Sequence, residues 1–316
     1  MPLIVWMRGS SASSSWADDF NSANYYPTKY FEYLRDEGFA VCAILTWGSY
    51  YIDKYGINVE NASPYPTPTC RKVFIEGIKY VCDRYNVDID NVHLLGHSQG
   101  GQLETFYVTN PDLPFKSICM FSPVNDYLSM PGDRFYAKTR QAIADDLGLE
   151  GDVEYFVSDE YRAYTEAGVA FLQSNIDKIN QLNEAWASMV GGTLQSRFDD
   201  AINDCAKFWE NGTANPSRTD IYVHPDYAKI GRVPAKVWGA PNDDQTPYRK
   251  MTEIVSQIKN GGGYAEMRTF ESGGHFSPVS SYPINSVTTK LGTVYTDLPS
   301  GWKEAVDFMR ICTAKH

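Results

Sequence analysis

The sequence predicts an α/β protein, a doubly wound and mostly parallel sheet interrupted by an inserted α-helical unit. Three observations carry that expectation. Short apolar runs alternate with longer helix-patterned segments over residues 1–125, residues 126–232 hold helical spacings with no strand-like run, and the alternation resumes over 233–316. Short strands separated by helices need crossover connections, and these generate parallel pairing with helices on both faces.

Taken in order, residues 3–7 are an apolar run that reads as a buried strand. Residues 27–37 place Tyr30, Phe31 and Leu34 at helical spacing, and Gly38 ends the segment. Residues 39–45 predict a second buried strand. Residues 67–85 predict a helix with Val73, Phe74, Ile78 and Val81 on one face. A third strand follows at 92–95, the helix behind it at 99–109, and a fourth strand at 117–121, closed by Ser122-Pro123. In the inserted unit, Ile176, Ile179, Leu182, Trp186 and Met189 step by three or four, as do Leu194, Phe198, Ile202, Cys205 and Trp209. Gly191-Gly192 breaks the two stripes, and Thr193 can cap the second. Their plain meaning is the core of a helical unit. After Pro234 come a strand at 235–239, a helix at 248–259, a strand at 264–270 and an amphipathic helix at 302–312.

Composition narrows the function classes. The chain has 316 residues, 43% hydrophobic, and a formal charge of −11 with no Lys/Arg run, which argues against nucleic acid as a partner. The longest apolar run, 39–45, falls far short of the ~20 residues a membrane span requires, so no membrane partner is expected. No basic segment precedes an apolar stretch at the start, and the expected location is cytoplasmic, or secreted if sequence lies upstream. Six scattered cysteines (Cys42, Cys70, Cys82, Cys119, Cys205, Cys312) form no CxxC pair and read as free thiols. HExxH, P-loop and GxGxxG patterns are absent, so neither a metal nor another cofactor is expected.

Chemistry concentrates in Gly96-His97-Ser98-Gln99-Gly100-Gly101, between the third strand and its helix. A sharp strand-to-helix turn needs small flanking residues and presents a serine hydroxyl at the C-terminal edge of the sheet. The Gln99 N–H, at the helix N-terminus, points toward a developing oxyanion. A serine nucleophile needs a base, normally a histidine. Of the five histidines, His93 lies within a strand and reads as a core residue, and His97 as a packing or hydrogen-bonding one. His224 falls in the insertion and His316 is the last residue. His275 remains, flanked by Gly273-Gly274 on a loop just past the strand ending at Phe270. Asp243, after the strand at 235–239, is the best candidate to orient it; Asp244 competes, and Asp126 is an outside candidate.

Gly-His-Ser-Gln-Gly-Gly, the loop from Asp243 to Pro247 and Gly-Gly-His together resemble the α/β-hydrolase superfamily, in particular its serine esterases and related peptidases. The resemblance covers about 1–125 and 233–316. It implies an α/β-hydrolase fold lacking the usual first two strands, with 126–232 as the cap. It also places Met7-Arg8-Gly9-Ser10 at the His-Gly-X oxyanion loop, with Arg8 in place of the usual histidine and the Ser10 N–H as second donor. The implied activity is hydrolysis of a carboxylic ester by Ser98, His275 and Asp243. Peptidase or aminopeptidase activity and non-catalytic ligand binding are the alternatives. The substrate expected is a small-molecule or carbohydrate-linked ester, with Trp16, Trp47 and Tyr50 as candidate pocket residues.

Overall fold

The computed structural model describes residues 1–7, 9, 28–44, 68–98, 100–101, 104, 108, 113–123, 230–243, 246 and 248–314. Among the described residues six strands make one sheet: β1 (Leu3–Met7), β2 (Ala40–Ala43), β3 (Val92–His97), β4 (Phe115–Phe121), β5 (Ala235–Gly239) and β6 (Ala265–Thr269). Their spatial order is β2-β1-β3-β4-β5-β6, and every pairing is parallel. Chain order therefore reverses between β1 and β3, the switch point at whose carboxyl end ligands bind in open sheets of this kind. In register Met7 faces Gly96, so β1 and β3 end side by side there.

The helices described from end to end are α1 (Thr28–Asp36), α2 (Pro68–Arg84), α3 (Tyr248–Asn260), a single turn α4 (Ser277–Ser280) and α5 (Ser300–Ala314). Helix α5 turns Trp302, Ala305, Val306, Met309 and Cys312 inward, a stripe at helical spacing. Trp302 lies 5.4 Å from Trp6 of β1 and 5.7 Å from Phe121 of β4, ring centre to ring centre. Its indole N–H donates to the Val279 carbonyl at 3.1 Å, which satisfies the one polar atom so large a buried side chain brings.

Two details differ from the sequence reading. Residues 39–45 read as a fully buried strand, yet β2 is half-buried throughout, because it forms the edge of the sheet. On α2 the buried side chains are Phe74, Ile75 and Ile78, whereas Val73 is exposed. The sheet-facing stripe is thus rotated by about one residue. Four two-residue strands between α4 and α5, β7 (Pro283–Ile284), β8 (Val287–Thr288), β9 (Val294–Tyr295) and β10 (Leu298–Pro299), pair antiparallel as β7–β10 and β8–β9. The expected helical unit at 126–232 lies, except for its last three residues, outside the described residues. Among the described residues no helix is long and apolar enough to cross a membrane.

Candidate active site

Three strand ends deliver the candidate residues to the same edge of the sheet. Ser98 follows β3 directly, Asp243 follows β5 by four residues, and His275 sits in a single 3-10 turn (Gly274–Phe276) beyond β6. Ser98 has φ 56°, the left-handed region that costs a non-glycine residue about 1–2 kcal/mol. Its N–H donates to the Phe121 carbonyl at 2.8 Å, so the turn is pinned to the end of β4. Close packing explains the small residues around it. A Cβ on Gly96 would lie 2.6 Å from a Glu104 carboxyl oxygen and from the Gly100 carbonyl carbon. A Cβ on Gly9 would lie 3.2 Å from the Ser98 Cβ, which places the segment after β1 directly against the serine. Gly100, Gly101, Glu104 and Val108 are helical, in agreement with a helix behind the turn.

Asp243 and His275 are brought together. The His275 Nδ1 lies 3.0 Å from Asp243 Oδ2 and 3.2 Å from Oδ1, with both side chains buried. An Nδ1–H donated to the carboxylate leaves Nε2 as an acceptor, the tautomer a general base needs. Two glycines allow the turn: Gly273 and Gly274 have φ 102° and 61°. The Gly274 N–H donates to the Asn242 side-chain oxygen at 3.2 Å and ties the histidine loop to the aspartate loop. Burial pushes the Asp243 carboxyl upward. The hydrogen bond and charge of His275, joined by the N–H and hydroxyl of Thr246, more than offset it and hold the group below its ordinary value.

Ser98 reaches this pair through its neighbour. The His97 Nε2–H donates to the His275 carbonyl at 3.1 Å, and the two rings are 4.8 Å apart. Burial, followed by the proximity of His275, pushes His97 down to about 3, so it stays neutral. Ser98 is itself buried, with 7% of its surface exposed. His93 has the core role its position suggested: its ring nitrogens meet Ser117 Oγ at 2.8 Å and Thr313 Oγ1 at 3.1 Å.

The other candidates fall outside the described residues: Gln99 and Ser10 for the oxyanion, Trp16, Trp47 and Tyr50 for the pocket, and the alternative acids Asp244 and Asp126. Among the described residues no group of three His, Cys, Asp or Glu is placed to hold a metal ion.

Two participants escaped the sequence reading. Thr246 donates its N–H to Asp243 Oδ1 at 2.8 Å and its hydroxyl to Oδ2 at 2.7 Å. The pattern Asp-x-x-Thr just before a helix is the available signal, since a side-chain carboxylate readily accepts the N–H three residues on. Ser122, at the end of β4, is fully buried with φ 42° and accepts the Thr246 hydroxyl weakly through its carbonyl, at 3.4 Å.

No protein-family model and no curated protein matches the chain. Solved structures do. Esterase B from Lactobacillus rhamnosis, inhibited by a C4-C4 tributyrin phosphonate, superposes with a TM-score of 0.51 at 13% identity, covering 99% of this chain and 75% of that one. DcsB in complex with its substrate analogue gives a TM-score of 0.50 at 12% identity, covering 99% and 90%. A parallel six-stranded sheet with flanking helices, matched over nearly its whole length by these structures, establishes that the chain has the α/β-hydrolase fold.

Proposed function

We propose that the chain is a serine hydrolase that cleaves a carboxylic ester through an acyl-enzyme. The supporting observation is the buried Asp243–His275 hydrogen bond of 3.0 Å, formed at the same sheet edge as a serine held at φ 56°. In this reading the Ser98 oxygen attacks the acyl carbon while His275 Nε2 takes its proton. The tetrahedral oxyanion is held by the N–H groups of Gln99 and Ser10. His275 returns the proton to the departing alcohol, and a water repeats the cycle to release the acid and restore the serine. Asp243 keeps the imidazole in the required tautomer and stabilises its cation. The fold shared with an esterase that carries a tributyrin phosphonate makes short-chain esters the first substrates to try.

The test is a panel of short- and long-chain aryl esters, acetyl and feruloyl sugars, and aminoacyl anilides, with Ser98→Ala as the blank. Turnover should fall on the order of 10³-fold or more in that variant. A fluorophosphonate should add one mass increment to the wild type and none to Ser98→Ala. Undiminished activity in Ser98→Ala would end the assignment, and preferential cleavage of the anilides would make the enzyme a peptidase.

A further inference from the structure

We propose that Thr246 is a fourth, positioning member of this relay, whose N–H and hydroxyl grip the two oxygens of Asp243 separately and share the imidazole-facing oxygen with His275. The inference rests on the serine-hydrolase reading for its catalytic meaning and on geometry for its placement.

The Thr246 hydroxyl has one proton and three polar atoms around it. Asp243 Oδ2 is 2.7 Å away, His275 Nδ1 3.3 Å and the Ser122 carbonyl 3.4 Å. The shortest contact is also the one to the charged group, so the proton goes to the carboxylate. The His275 Nδ1–H then approaches an oxygen already accepting one bond, with the threonine oxygen standing as a second, weaker acceptor beside it. Meanwhile the Thr246 N–H holds Oδ1 at 2.8 Å. A carboxylate held through both oxygens by one residue cannot rotate about its own axis, so the direction in which His275 donates is fixed. Thr246 is buried at 3% exposure, which strengthens these bonds by keeping water from competing for them.

The titratable groups facing His275 are Asp243, from the loop after β5, and His97, from the end of β3. His97 remains neutral, and Phe276, packed against the His275 ring at 5.3 Å, carries no charge. The hydroxyl is therefore the element that can be removed without altering the charge around the imidazole.

Thr246→Val keeps the branched shape and the N–H but deletes the hydroxyl. With one donor gone, the carboxylate can turn and the His275 N–H loses its fixed direction. kcat should fall roughly 5- to 30-fold with KM little changed. Thr246→Ser should restore kcat. Thr246→Ala, made in parallel, supplies the same comparison should the valine fail to fold. A second arm is independent of turnover: the low-field proton resonance of the His275 Nδ1–H, identified by its loss in His275→Gln, should move in Thr246→Val or Thr246→Ala and return in Thr246→Ser. A kcat and a resonance that stay in place in the hydroxyl-less variants, with Ser98→Ala inactive, overturn the role of Thr246 alone. An active Ser98→Ala overturns the catalytic reading, while the resonance still decides whether the hydroxyl belongs to the relay.

Discussion

Glu104 offers the sharpest physical test of the structure behind the serine. It lies six residues after Ser98 on the helical stretch and is completely buried, with its carboxyl against the space that a Gly96 side chain would need. Burial pushes this carboxyl well above its ordinary value, and the backbone of Cys119 offsets that only in part. At a pH just above that ordinary value, the folded protein therefore still holds the proton that the unfolded chain, with a carboxyl near its reference value of about 4.3, has released. Linkage fixes the sign. The folded state binds the extra proton, so stability falls as pH rises above the unfolded value, and continues to fall until the folded group ionises.

The substitution Glu104→Gln keeps the size and shape of the neutral acid while abolishing its titration. Below about pH 4 both proteins carry an uncharged group there, and their stabilities should agree closely. Above that, the wild type loses about 1.4 kcal/mol per pH unit relative to the variant for as long as the folded group stays protonated. Thermal unfolding followed by near-ultraviolet circular dichroism at half-unit steps from pH 4 to pH 8 measures the gap between the two melting temperatures. A gap in favour of Glu104→Gln that opens with pH supports the buried neutral acid. A constant gap, or one that opens in favour of the wild type, refutes it: the carboxyl would then be ionised and paired in the folded protein.

Asp243→Asn should leave the fold intact and reduce turnover by up to roughly 10⁴-fold, because an amide can hold the imidazole in the wrong tautomer. Steady-state rates beside Asp244→Asn check the assignment, and a crippled Asp244→Asn with an active Asp243→Asn would shift the acid by one residue. Gly9→Ala brings a methyl group to 3.2 Å from the Ser98 Cβ, closer than comfortable contact. Turnover should drop roughly 10- to 100-fold through displacement of the serine, with little change in melting temperature; unaltered kcat would mean that the segment yields without moving Ser98.

How much of this was legible in the sequence follows from what each feature needs. Strands β1 and β5 were read to their ends, since a compact apolar run bounded by a turn is a local signal. Edge position is not local: β2 has the composition of an interior strand, and only its place in the order reveals that one side is uncovered. The small antiparallel pairs between Pro283 and Pro299 are two residues long, too short for any periodicity. Ser98 and His275 stood out because glycines mark tight backbone, and the positive φ values at Ser98, Gly273 and Gly274 are what those glycines permit. Thr246 did not stand out. A threonine near an aspartate is common, and its meaning comes from a histidine twenty-nine residues away in the chain.

The geometry of the site owes more to the sheet than to its own side chains. The segments after β3, β4 and β6 each begin on a backbone hydrogen bond to the neighbouring strand: Ser98 N–H to the Phe121 carbonyl, Ser122 N–H to the Trp238 carbonyl, and Phe270 N–H to the Gly239 carbonyl. These bonds extend the ladder beyond the strand ends and need no particular side chain, so they survive substitution of Ser98, Asp243 or Thr246. The same arrangement tolerates a long excursion. Strands β4 and β5 are neighbours in register from Ile118↔Ala235 to Phe121↔Trp238, although 113 residues separate Phe121 from Ala235 in the chain. The length of that connection leaves the hydrogen-bonded frame continuous. On the proposed reading, stability and catalysis are in consequence separable: the ladder sets where Ser98, His275 and Asp243 stand, and the few hydrogen bonds among Asp243, His275, Thr246 and His97 would set how the proton moves.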